Sequence, residues 1–161
     1  LLTHSGAFFN LERGAYNKGF LLSPEGLHTD TTLDISSFYG TYLFGYYLDE
    51  SQVTSTLSLI ESELLDISPS GGSARYENDN YFRSDPAYKG NPWFVTTLWL
   101  AQYYAKNGQK ERAEKYVTWA LDKGLTSGLL SEQISPEDSK IVGVTPLVWS
   151  HAELINTILD L

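Results

Sequence analysis

Cysteine is absent from the 161 residues, which excludes disulfides, thiolate metal sites and a cysteine nucleophile. Methionine is absent too, and the first residue is Leu1, so the sequence as it stands does not begin at a translation start. Positive charge is scarce. Eleven Lys+Arg face 20 Asp+Glu, giving a net charge of −9 and a pI near 4.7. A nucleic-acid backbone or an anionic membrane needs a basic patch, so neither is expected as a partner. No apolar run approaches the roughly 20 residues that span a bilayer, and no basic-then-apolar leader opens the chain. His4, His28 and His151 are scattered and form no HExxH pattern, so no metal is expected. Ser150 has no Gly-x-Ser-x-Gly elbow around it. No phosphate-binding glycine loop is present, and no cofactor is called for.

What is abundant is aromatic: 7 Phe, 11 Tyr and 4 Trp, or 14%, within a hydrophobic content of 42% that suits a packed core. Glycines at 6, 14, 19 and 26 break up residues 1–30, where 7–11 and 19–22 read as short strands. From Asp34 the spacing turns helical. Residues 34–48 are apolar or aromatic nearly all round, the pattern of a buried helix. Residues 50–66 carry one stripe, Val53, Leu57, Ile60 and Leu64, the pattern of a surface helix. Residues 67–90, rich in Gly, Ser, Pro and Asn, read as a loop. Asn91-Pro92 then predicts a helix start, Asn at the cap and Pro at the first position. The helix that follows, 93–106, is apolar almost all round and ends at Asn107-Gly108. Residues 109–123 carry a stripe of Ala113, Tyr116, Val117, Ala120 and Leu121 before Gly124. A long connection, 125–146, leads to a last apolar helix over 147–160. A loop of that length in a compact domain is usually functional or disordered.

The helices therefore alternate: one, three and five read as buried, two and four as half-exposed. An α/α toroid alternates in this way between an inner and an outer ring. A solenoid of helix hairpins is the competing arrangement, and the lack of a fixed repeat period counts against it. In a toroid both long loops run from an outer helix to an inner one. They then share one end of the ring, bringing Arg75, Glu77, Asp79 and Tyr81 to the same mouth as Glu132.

At Ala74-Arg75-Tyr76-Glu77-Asn78-Asp79-Asn80-Tyr81, then Gly90-Asn91-Pro92-Trp93-Phe94, Ser131-Glu132-Gln133 and Pro146-Leu147-Val148-Trp149-Ser150-His151-Ala152, the sequence resembles glycoside hydrolase family 15, the glucoamylases and glucodextranases. The four motifs occur in order over roughly residues 33–161. The resemblance implies an all-α fold, about five helices forming the C-terminal part of an (α/α)6 barrel. It also implies inverting hydrolysis of terminal α-glucosidic bonds in an oligo- or polysaccharide. Glu132 then resembles the general base that activates water. Arg75 and Asp79 resemble residues that bind or orient the sugar, and Tyr81, Trp93 and Trp149 resemble aromatics that line or support its pocket. Eight residues separate Tyr81 from Gly90, far more than in the fungal members. The family's acidic neighbour in the first motif falls at Asn78 rather than Glu77. The general acid of the family lies upstream of the matched portion.

The residues themselves permit plainer roles. Glu132 could be an exposed loop carboxylate. Arg75 could serve a surface ion pair with Glu77 or Asp79. Trp93 and Trp149, each opening a helix, could fill the core. Taken whole, the chain reads as 161 residues of one glycosidase domain, inactive alone and completed by an N-terminal remainder of the same protein. Uncovered inner faces would then favour a partner segment or self-association. The alternative is a non-catalytic helical scaffold or carbohydrate-binding module.

Overall fold

A computed structural model describes residues 7–46 and 49–161. His4, Gly6 and the Tyr47–Leu48 end expected of the first helix lie outside the described residues. Two antiparallel hairpins come first. Strand β1 (Phe9–Asn10) pairs with β2 (Ala15–Tyr16), and β3 (Gly19–Ser23) pairs with β4 (Gly26–Asp30). Helix α1 (Ile35–Leu43) starts at Asp34, whose carboxylate accepts the Ser36 N–H at 2.7 Å. Helix α2 (Glu50–Glu63) is capped the same way by Asp49. After β5 (Ser73–Ala74) and β6 (Pro92–Trp93) come α3 (Phe94–Lys106) and α4 (Lys110–Lys123). Strands β7 (Gln133–Ile134) and β8 (Ile141–Val142) precede α5 (Val148–Asp160).

Helix α3 packs on both α1 and α5, while α2 packs on α1 and α4 packs on α3 and α5. This is the alternation of an inner row, α1-α3-α5, with an outer row. Burial follows position in the row. Helix α3 has neighbours on every side, and eleven of its thirteen residues are buried. Helix α2 buries Val53, Leu57 and Ile60. Helix α4 buries Ala113, Tyr116, Val117 and Ala120, but Leu121 points to solvent, one residue beyond the stripe.

Two expectations need correction. Helix α5 is not buried: its only buried residues are Ser150 and Thr157, while Val148, Ile155, Ile158 and Leu159 are exposed. It is the end member of the row and packs chiefly on α3, with a smaller contact to α4. Helix α1 likewise buries Ile35, Phe38 and Tyr39 but exposes Leu43. Between α1, α3 and α5 lies a cavity of about 600 Å³, lined by Tyr39, Trp99, Gln102, Trp149 and Glu153 among others.

The two long connections are not plain loops. They carry β5, β7 and β8, which join β6 in one antiparallel sheet ordered β5-β6-β7-β8. Pro92 lies in β6, and Trp93 is the residue before α3, so the helix starts two residues later than the Asn-Pro signal predicts. No side chain caps α3. Instead the Glu132 carbonyl accepts the Phe94 N–H at 3.3 Å.

Candidate functional site

The short sheet ties three segments to the N-terminal ends of the inner helices. The Arg75 carbonyl accepts the Ile35 N–H at the start of α1 (3.1 Å), and the Glu132 carbonyl does the same for α3. At α5 the Ser150 hydroxyl donates to the Ser131 carbonyl (2.7 Å), and the Leu130 N–H donates to His151 Nε2 (3.0 Å). Arg75 and Glu132 thus sit where helix N-termini gather, an arrangement that favours negative charge.

Arg75 meets Asp79 in a fork. Its Nε donates to Oδ2 at 2.9 Å and its Nη2 to Oδ1 at 3.0 Å. Asp79 is 1% exposed and also accepts the Tyr81 N–H at 3.0 Å. The guanidinium carbon lies 4.2 Å from the Trp93 ring centroid, 4.8 Å from Tyr76 and 5.4 Å from Tyr81. Burial works against the guanidinium's charge, but the hydrogen bonds and charge of Asp79, with a smaller contribution from Tyr76, leave it more basic than an ordinary arginine. Trp93 is 4% exposed, and its indole N–H has no hydrogen-bond acceptor among the described residues. Tyr81 lies 6.0 Å from Trp93, ring to ring, and is 45% exposed.

Glu132 is the residue before the neighbouring strand, whose first residue Gln133 pairs with Trp93 in the β6–β7 ladder. Its carboxylate is partly exposed, and Gln133 Nε2 approaches Oε2 at 3.5 Å. Gly143, at φ 77, lies against the same carboxylate. Glu77 does not pair with Arg75. It bonds Arg13 at 2.6 Å, accepts the Leu33 N–H at 2.9 Å and faces Lys89 at 3.6 Å.

The sheet therefore gathers Arg75, Asp79, Tyr81 and Trp93 into one contact cluster, with Glu132 immediately before the adjoining strand. Trp149 belongs to another group. Its ring meets Trp99 edge-on at 5.6 Å, and its indole donates to Glu153 at 2.9 Å, on the wall of the inner cavity. Tyr76, Gly90 and Gly143 escaped the sequence reading as site residues. Only Gly143, a glycine within a short apolar run, leaves a signal, since such a glycine marks a close approach of backbone. Among the described residues, no cluster of three His, Asp or Glu could hold a metal ion, and no helix is long and apolar enough to cross a membrane.

No protein-family model matches the chain. Its curated relatives include an uncharacterized glycosyl hydrolase of Methanocaldococcus jannaschii, 32% identical over a 137-residue alignment that covers 76% of this chain and 21% of the relative. Another is Trehalase 1 of Sulfolobus acidocaldarius, 33% identical over 100 residues, 62% of this chain and 16% of the relative. Among solved structures, a bacterial glucoamylase complexed with acarbose matches 87% of this chain and 22% of its own, with a TM-score of 0.68 at 23% identity. A structure described as a wild-type glycosidase matches 99% of this chain and 41% of its own, with a TM-score of 0.73 at 19% identity. The chain is thus similar in sequence to a glycosyl hydrolase and a trehalase, and in fold to a glucoamylase and other glycosidases. The five helices are part of an (α/α)6 barrel.

Proposed function

We propose that this chain supplies the general base and part of the sugar pocket of an inverting, exo-acting α-glucosidase, as the C-terminal portion of one barrel domain. The chain spans only 21% and 16% of the lengths of the two curated relatives. The remaining helices of the ring would pack against the cavity between α1, α3 and α5, and the general acid would come from that remainder. The pairing of Trp93 with Gln133 carries the reading, because it sets a partly exposed carboxylate beside a partly exposed arginine–aromatic cluster resting on the buried Trp93 and Asp79.

An inverting glycosidase needs a carboxylate that removes a proton from water as the water oxygen attacks the anomeric carbon. A carboxylic acid on the opposite face protonates the departing oxygen, and the two stand roughly 6.5–9.5 Å apart. Glu132 is the base in this scheme. Arg75, locked by Asp79 and backed by Trp93, offers its remaining N–H groups to sugar hydroxyls. Tyr81, 45% exposed, offers a ring face to the C–H side of a glucose unit, and the buried Trp93 supports Arg75 and Tyr81 from behind.

In the full-length protein, Glu132→Gln should lower kcat on the preferred substrate by about 10²–10⁴-fold and leave KM nearly unchanged. Retention of wild-type kcat would refute the reading and favour a non-catalytic module. The substrates to compare are maltose, isomaltose and trehalose, the last because one curated relative is named a trehalase. The first sugar released is followed by anomer, and inversion predicts β-glucose.

A further inference from the structure

The eight residues between Tyr81 and Gly90 are followed, after that glycine, by Asn91, a side chain 2% exposed with both ends of its amide engaged. Its Nδ2 donates to the Phe82 carbonyl at 2.9 Å. Its Oδ1 accepts the Ser84 N–H at 3.1 Å and the Ser84 hydroxyl at 2.8 Å. A backbone carbonyl can only accept and a backbone N–H can only donate, so these two contacts fix which way the amide faces. The same Nδ2 also donates to Gln133 Oε1 at 2.8 Å. Gln133 is fully buried, so its own amide is fixed in turn, with the NH2 group turned to Glu132 Oε2.

We infer that Asn91 is a positioning residue for Glu132, transmitting the polarity of the 82–84 backbone through the Gln133 amide to the carboxylate. This rests on Glu132 being the general base. The loop is built to hold that polarity. Arg83 Nη2 donates to the Pro86 carbonyl at 3.0 Å, closing the loop on itself. Phe82 is kept at φ 50, a left-handed backbone that a bulky residue holds only under constraint. At 3.5 Å the Gln133–Glu132 contact is long, as catalytic hydrogen bonds often are before substrate binds. With aspartate at position 91 there is no donor for Gln133 Oε1. The Gln133 amide then turns over and sets its carbonyl oxygen against Glu132.

The test is a double-mutant cycle in the full-length protein, with maltose, isomaltose and trehalose as substrates. Asn91→Asp and Gln133→Leu should each lower kcat by about tenfold or more with KM within about threefold, and the double variant should fall no further than the lower single. Should Asn91→Asp not fold, Asn91→Ala, which removes the donor without a buried charge, replaces it in the cycle. Wild-type kcat in the Asn91 variant overturns the inference, as does a loss expressed only in KM or losses that multiply. Glu132→Gln run alongside separates the two claims: if it alone abolishes turnover, the base stands and only the relay is in question.

Discussion

Gly143 leaves room for the Glu132 carboxylate that no other residue would leave. A Cβ at position 143 would stand 3.2 Å from Glu132 Cβ and 3.3 Å from Cδ, and closer still to Oε2. The contact is with the flexible end of a side chain, so the carboxylate would move and the fold would survive. Gly143→Ala should therefore lower kcat by about 10²-fold, the effect of a displacement near 1 Å. The backbone at φ 77 adds a stability loss of about 1 kcal/mol for alanine. Steady-state kinetics beside urea unfolding checks both. Wild-type kcat would show that the carboxylate is not placed by this contact.

The Arg75–Asp79 fork predicts an effect on stability as well as on binding. Asp79→Asn keeps the shape but turns an NH2 group toward a guanidinium that can only donate. The variant should lose about 1–2 kcal/mol in urea unfolding, because a partly buried cation is left without its buried counter-charge. Arg75→Lys should cost less stability and raise KM more, since an ammonium has neither the fork nor the flat face that Trp93 covers.

Glu77 supplies a pH dependence. Burial alone would raise its pKa. The Leu33 N–H and the hydrogen bond and charge of Arg13, with Lys89 adding a smaller charge effect, outweigh that and hold it below the usual glutamate value. A depressed folded-state pKa contributes stability that is present above the unfolded value, about 4.3, and is lost as pH falls through the folded value. Between about pH 5 and pH 3, the urea midpoint of the wild-type protein should fall more steeply than that of Glu77→Gln. Parallel curves would show that Arg13 and Lys89 do not stabilise the ionised form.

The helices were legible because each presents several turns of a repeating apolar face. The stripe of α2 at Val53, Leu57 and Ile60 and that of α4 at Ala113, Tyr116, Val117 and Ala120 are buried as their spacing predicts. Of the strands, those within 7–11 and 19–22 were legible, and those of the sheet at the site were not. Ser73–Ala74, Pro92–Trp93, Gln133–Ile134 and Ile141–Val142 are two residues each, too short for any alternation to register. Pro92 misled for a related reason: Asn-Pro is a sound helix-start signal, but here the proline sits in a strand and the Glu132 carbonyl closes the helix. Burial of α5 could not be read either, because an all-round apolar helix looks the same whether or not its neighbours belong to the same stretch of chain. Motif order brought Arg75, Asp79, Tyr81, Trp93 and Glu132 to mind together. It could not separate Trp149, whose ring lies on Trp99.

Gly72 offers a test in which strain and overlap separate. The turn before β5 is bound to α4. The Trp119 indole donates to the Ser70 carbonyl at 2.8 Å, and Asp66, itself bonded by the Tyr116 hydroxyl at 2.9 Å, accepts the Gly72 N–H at 2.9 Å. A Cβ on Gly72 would lie 2.7 and 2.8 Å from Trp119 Cε2 and Cη2, inside the ring's own contact surface. The indole cannot easily retreat, because its other side meets Phe94 at 5.2 Å between ring centroids. Gly72→Ala should therefore destabilise the protein by about 3 kcal/mol, combining overpacking with alanine at φ 73. Trp119→Phe removes part of the overlapping ring but leaves the backbone angle, and it forfeits the bond to Ser70 at about 1 kcal/mol. The double variant should be more stable than the sum of the two single losses predicts, by about 1–2 kcal/mol, with the remaining deficit measuring the backbone strain. Simple additivity in urea unfolding would place the whole cost in the backbone and none in the indole.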